Sequence, residues 1–388
     1  MERKNGRLVA LVSSVAVAAV VIGGVLAYRQ APDEGGSAAA PLPGQATPKA
    51  PVKTPIGTPS ATPSLIPSPS TPPVTAKPVE IEVDLTSLAK GRGTDLVHLV
   101  GREVRGGGPT VKIPGSQRIE RFARLGDDVL AVVGTDGATT DLLVVGAGHA
   151  TRRIPKVDTL VTDQRGTAAA YTTLQVNAEG IVTRGGDLHH LSATGVTKTL
   201  DLPEDVFALK VVALLNDKVY YRVTDEQAGD VERLYEWTPG ATAPKLVKTV
   251  TAALLLSGDA RYAVSWRNGS VSVCNAVHVV ATGKKLWETC KAGLTAFTPD
   301  TRVTVSRGHV GDTPIVRVAA QDTRTGKLLR AWKGFFANAV AEDDQHVLIS
   351  TEGATGGSLV RCAVATGDCE FAVPLGNAEL RLDPGMTP

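Results

Sequence analysis

The sequence predicts an all-β protein: a seven-bladed β-propeller of four-stranded blades, preceded by an N-terminal transmembrane helix and a disordered Pro-rich linker. Three observations lead there. Glycine-ended turns recur at one spacing through the last 310 or so residues, aspartate turns keep the same spacing, and residues 8–78 divide into an apolar run and a proline-rich stretch. Of 388 residues, 43% are hydrophobic and only 4% aromatic, and 41 Lys and Arg nearly balance 39 Asp and Glu. So even a balance supplies no concentrated basic face, and no nucleic-acid partner is expected.

The run from Leu8 to Tyr28 carries no charge, and its 21 residues match the length needed to cross a bilayer core. Arg3, Lys4 and Arg7 precede it, while Arg29, Asp33 and Glu34 follow. The positive excess predicts a cytoplasmic tail (1–7), a signal anchor (8–28) and an extracytoplasmic remainder. A cleaved secretory signal ending near Val25-Leu26-Ala27 is the competing reading, and the length of the apolar run favours the anchor. Residues 29–78 hold 13 of the 24 prolines among Ala, Thr and Ser. Such text cannot offset its ordering entropy and reads as a spacer, with Thr-Pro at Thr47, Thr54, Thr58, Thr62 and Thr71 suited to O-glycosylation.

Residues 79–388 are short runs of Val, Leu, Thr and Ala punctuated by Gly, Asp and Asn. LHHLSATG ends at Gly195, LYEWTPG at Gly240, VHVVATG at Gly283, AAQDTRTG at Gly326 and RCAVATG at Gly367, with LLVVGAG at Gly148 and REVRGGG at Gly108 extending the ladder backwards. Successive intervals are 40, 47, 45, 43, 43 and 41 residues, a repeat long enough for several strands per unit. Glycine suits a tight hairpin turn that needs positive φ. A second landmark, an apolar run followed by a polar turn, recurs around Asp259, Asp300 and Asp343 at steps of 41 and 43. The last such run, Asn377 to Pro384, has no outer strands after it, so it is expected to complete a first blade whose other strands come from residues 80–116.

Four cysteines allow three pairings. Cys274 and Cys290 lie symmetrically about the turn at Thr282, and Cys362 and Cys369 about the turn at Ala365-Thr366, so each pair is expected to staple the outer two strands of one blade. Two hairpin disulfides also agree with an oxidising compartment.

No catalytic, cofactor-binding or metal-ligating residue is predicted. The histidines (His98, His149, His189, His190, His278, His309, His346) are scattered, and neighbours His189 and His190 would point to opposite faces of a strand. Asp127-Asp128 and Asp343-Asp344 fall in turns, where solvated turn chemistry is expected. Trp237, Trp266, Trp287 and Trp332 lie in or beside strands and are expected to fill the tapered spaces between blades. The candidate binding surface is the set of polar loops Asp136–Asp141, Asn177–Asp187, Asp225–Asp230, His309–Asp312 and Glu352–Gly357.

The strings DTRTGKLLRAW (Asp322 to Trp332) and VVATGKKLW (Val279 to Trp287) resemble the WD-repeat-like and pyrroloquinoline-quinone-like propellers, and the whole chain is similar to membrane-anchored propellers of actinobacterial type. The chain lacks the Trp-Asp ending of true WD repeats and the adjacent cysteine pair of many quinoprotein dehydrogenases, so no quinone cofactor is expected. Two functions compete. One is a non-catalytic extracytoplasmic scaffold binding an envelope protein, peptide or glycan. The other is an exported hydrolase, lyase or lactonase with its site at the central channel.

Overall fold

The computed structural model describes residues 79–135, 139–148, 150–177, 183–204, 206–225, 231–268, 273–309, 314–351 and 356–382. The expected membrane span, the linker and most of the five polar loops lie outside the described residues. Among the described residues, no helix is long and apolar enough to cross a membrane.

Strand β1 (Glu80–Glu82) comes first, followed by β2 (His98–Val100), β3 (Glu103–Arg105) and β4 (Val111–Lys112). The chain then repeats a four-strand meander. It runs through β5 (Ile119–Leu125), β6 (Asp128–Gly134), β7 (Thr140–Val145) and β8 (Thr151–Ile154), then β9 (Val157–Thr162), β10 (Ala168–Thr173), β11 (Gly186–Ser192) and β12 (Thr197–Leu202). Next are β13 (Val206–Leu215), β14 (Lys218–Asp225), β15 (Val231–Trp237) and β16 (Lys245–Thr251), then β17 (Ala253–Leu256), β18 (Tyr262–Asn268), β19 (Val273–Val279) and β20 (Lys285–Thr289). The last are β21 (Gly293–Phe297), β22 (Val303–His309), β23 (Val316–Asp322) and β24 (Leu328–Gly334), then β25 (Phe336–Ala341), β26 (His346–Thr351), β27 (Leu359–Ala363) and β28 (Cys369–Val373), and finally β29 (Leu380–Leu382).

Seven sheets result. Blades 2 to 7 are the successive meanders, and blade 1 is β29-β2-β3-β4, with Leu99 opposite Arg381. The C-terminal strand therefore closes the ring. All seven ladder glycines sit between the third and fourth strands of their blades, and all but Gly148 have positive φ. At Gly326 the missing Cβ also matters, since it would stand 2.7 Å from the Trp287 ring of the preceding blade. Asp259, Asp300 and Asp343 occupy the first turns of blades 5, 6 and 7, where each accepts a backbone N–H two residues on, at 3.0, 3.0 and 2.8 Å.

Strand alternation divides each sheet between two neighbours. In β6, Val129, Ala131 and Val133 pack with blade 1, while Leu130 and Val132 pack with blade 3. Seven buried clusters follow, one at each junction between adjacent blades, including blade 7 to blade 1 through Val340, Leu348, Leu380 and Leu382. The innermost strands of blades 2 to 7 each carry a register shift against the second strand, for example across Glu120, Leu254, Thr295 and Ala337. A bulge adds one residue and twist, which bends the strand nearest the axis.

One expectation is corrected. Residues 80–82 do not belong to blade 1. β1 adds to the outer edge of blade 6, parallel to β24, with Ile81 opposite Trp332. Ile81, Val83, Leu85 and Leu88 then pack on the core shared by blades 6 and 7, and Lys90 bridges Phe371 of β28. Burial of this alternating apolar set selects the rim of blades 6 and 7 over an extra strand on blade 1. Residues 79–95 thus form a belt over the outer rim of blades 6 and 7 before the chain enters blade 1.

Candidate functional site

Residues from blades 1, 2, 3, 6 and 7 line one cavity of about 340 Å³, a convergence possible only at the ring axis. It opens on the face carrying the first turns. Leu96 and Val97 come from the entry to blade 1, Arg124 and Gly126 from blade 2, Thr162 to Gly166 from blade 3, Pro299 from blade 6, and Val340 to Glu342 from blade 7. Asp95, Gln164 and Arg165 stand exposed on this wall.

Its charged side chains hold the frame. Arg124, 4% exposed, donates from Nε to Gly106 O (3.1 Å) and from Nη2 to Val104 O (3.3 Å) and Pro109 O, so carbonyls in and on either side of the Gly106–Gly108 turn face a guanidinium. Desolvation holds its pKa below the ordinary arginine range. Asp163 accepts the N–H groups of Thr167 (2.7 Å) and Ala168 (2.9 Å), shaping the first turn of blade 3.

Glu342 is paired with Arg361 of β27, whose side chain is 4% exposed. Arg361 donates from Nη1 to Arg92 O (2.9 Å) and Glu370 (2.8 Å), and from Nη2 to Gly93 O (2.9 Å) and Glu342 (2.5 Å). Thr94 Oγ1 donates to Glu342 at 2.6 Å. One buried cation therefore joins the belt, the first turn of blade 7 and the outer strand β28. Those carboxylates raise its pKa well above the arginine range.

The residues singled out from the sequence are spread around the ring. Cys274–Cys290 and Cys362–Cys369 are both disulfides, with Cα separations of 4.0 and 4.2 Å, the first joining β19 to the residue just past β20 and the second joining β27 to β28. Glu288 lies beside the first pair, held to about pKa 2 by Arg267 and Lys285, and the bonded sulfurs offer no metal site. His98 is 4% exposed and bonds Leu96 O through Nδ1 at 2.8 Å. His189 stacks on Tyr171 at 4.7 Å, and burial lowers the pKa of His98, His189 and His190. His278 accepts or donates with Ser265 at 2.9 Å, and His346 closes on Asp343 within its own turn at 2.9 Å.

The four tryptophans pack and bridge. Trp237 and Trp332 are fully buried; Trp287 Nε1 donates to Thr323 O (2.8 Å) and Trp332 Nε1 to Gly367 O (3.3 Å), each reaching the next blade's outer turn. Trp266 Nε1 donates to Glu232 of blade 4 at 3.0 Å. Asp344 accepts the Asp300 N–H at 2.7 Å, another link between blades. Of the polar loops, Asp141 is engaged by Lys156 N (3.1 Å) and Arg153, and Asp187 by Thr173 (3.2 Å). Arg124, Arg361 and Glu342 were not singled out from the sequence. For the two arginines the signal was a charge inside an apolar strand, as in LVRCA and ERFARLG, whereas Glu342 is hidden among the acids of a turn.

No protein-family model matches this chain, and no curated protein matches it. Solved structures show a distant, partial likeness. TolB from Acinetobacter baumannii is 12% identical with a TM-score of 0.43, covering 67% of this chain and 66% of its own. The β-propeller domain of the Trilobed protease from Pyrococcus furiosus is 9% identical with a TM-score of 0.45, covering 66% of this chain and 86% of its own. Prolyl oligopeptidase B from Galerina marginata is 9% identical with a TM-score of 0.46, and this chain spans 43% of its length. Identities this low transfer no activity.

Proposed function

We propose that this chain is a non-catalytic extracytoplasmic propeller of the WD-repeat-like or pyrroloquinoline-quinone-like type, tethered to the cell membrane by residues 8–28 and held away from it by residues 29–78. Its role is to bind or scaffold an envelope protein, peptide or glycan. The supporting observation is the axial cavity. Arg124 donates from Nε and Nη2 to turn carbonyls, half-buried Asp163 shapes its own turn and Glu342 pairs with Arg361 and the belt, while Leu96, Val97, Pro299, Val340 and Ala341 leave an apolar wall with an exposed polar rim. Mixed concave surfaces of this kind suit recognition.

Photo-crosslinking from Gln164 and Arg165 in the full chain tests the reading. A saturable envelope partner captured there, and not from Lys198 on the blade 3 edge, is the expected result. Turnover in a hydrolase and lactonase panel that disappears in Asp95→Asn would replace this reading with the exported-enzyme one.

A further inference from the structure

Blade 6 presents an unusual face to blade 5. Alternation sends Val303, Val305, Val318 and Trp332 into the core shared with blade 7, and sends Thr304, Ser306, Arg317, Gln321 and Lys333 to the other side. The apolar contact with blade 5 is confined to residues such as Leu255, Val264, Leu294 and Phe297. Outside that contact the blades part around a cavity of about 420 Å³.

Three cations from three elements line it: Lys291 on the connection into blade 6, Arg317 on β23 and Lys333 on β24. Gly308 lets the connection lie close, since a Cβ there would stand 2.5 Å from Lys291 O. The floor is polar and satisfied. Buried Ser306 donates to Gln321 Oε1 at 2.9 Å, and Gln321 Nε2 donates to Gly326 O at 3.2 Å. The chain itself shows which chemistry fits, because the belt places the Glu80 carboxylate 2.8 Å from Arg317 and 2.9 Å from Lys333. Those two partners hold its pKa below 4.5. Glu80 is the sole acid lining this cavity among the described residues, so the positive charges outnumber it three to one.

We propose that this wedge between blades 5 and 6 is a binding site for a phosphate-bearing small molecule, with Lys291, Arg317 and Lys333 as its cations and Glu80 of the belt as a built-in competitor. The excess of two positive charges matches a phosphate monoester dianion. The volume admits more than a phosphate, so the phosphate group sits on a larger body such as a sugar. Ligand entry and belt seating oppose one another at Arg317 and Lys333. This site is separate from the axial cavity, and its failure leaves that reading untouched.

Calorimetric titration of the full chain with glucose 6-phosphate at low chloride is the test, with inorganic phosphate as competitor. One saturable site is expected, weakened about fivefold in Lys291→Ala and tightened about threefold in Glu80→Gln. Lys291 is exposed and Glu80→Gln keeps its shape, so neither variant endangers folding. Lys198→Ala should match the parent chain, and inorganic phosphate should displace the ester. Absence of saturable binding, equal affinity in all variants, an equal loss in Lys198→Ala, or binding that ignores inorganic phosphate would each overturn the proposal.

Discussion

The two faces of blade 6 differ more than two blades do. Toward blade 7 it offers Val303, Val305, Val316, Val318 and Trp332, and the belt covers the outer margin with Ile81, Leu85 and Leu88. Toward blade 5 the same strands offer Thr304, Ser306, Arg317, Gln321 and Lys333, and a cavity remains. Because β residues alternate sides, one strand writes two interfaces, and each has its own packing and sensitivity. A blade in this ring is best judged face by face.

The largest contrast is between two tryptophans. Trp332→Ala empties a fully buried site on the sealed face and should cost about 3–5 kcal/mol, whereas Trp287→Ala, at the partly exposed blade 5 to blade 6 contact, should cost about 1–3 kcal/mol. Urea denaturation reads both, and equal losses would erase the distinction. Close behind is Arg361→Met. It strands Glu342, whose side chain is 8% exposed, and should cost about 3–4 kcal/mol while freeing the belt to trypsin at Arg92.

Replacing Cys362 and Cys369 together by Ala should cost about 2 kcal/mol. It should also speed amide exchange at Gly91 and Phe371, which hydrogen-bond across belt and blade 7 at 3.0 and 2.9 Å. The Cys274 and Cys290 double variant should leave those amides protected. On the polar face, Ser306→Ala removes a single buried hydrogen bond and should cost about 1 kcal/mol.

The smallest effect is one of pH. Glu80 has a folded pKa below its ordinary 4.5, so its contribution is complete above 4.5 and disappears as pH falls through the lowered value. The ion pairs are partly exposed, which limits that contribution to below about 1 kcal/mol. Exchange at Val83, whose N–H bonds Lys333 O at 3.0 Å, should accelerate over that interval in the parent chain and lose its pH step in Glu80→Gln.

Much of the ring was legible because its signals are local. Gly195, Gly240, Gly283, Gly326 and Gly367 each mark a hairpin whose backbone needs positive φ, and the cysteine pairs sit symmetrically about two of those hairpins. The belt was less legible. The alternation of Ile81, Val83 and Leu85 announces an extended, one-sided segment, and no local feature says which of seven sheet edges receives it. The inner-strand bulges were silent for the same reason, since an extra residue such as Leu254 or Thr295 reads as part of one continuous run. The axial cavity depends on turns that lie far apart in sequence, and the Arg361 contacts reach residues 268 and 269 positions away.

Closure of the ring by β29 is the claim on which the junction of blade 7 with blade 1 and the axial cavity rest. Val100 and Leu380 are opposite one another across β2 and β29. With both changed to Cys in the full chain, oxidation should produce a disulfide that joins the two tryptic peptides containing residues 100 and 380 within one molecule. Failure of that link to form in folded protein, or its appearance only between molecules, would contradict a ring closed by its own C-terminal strand.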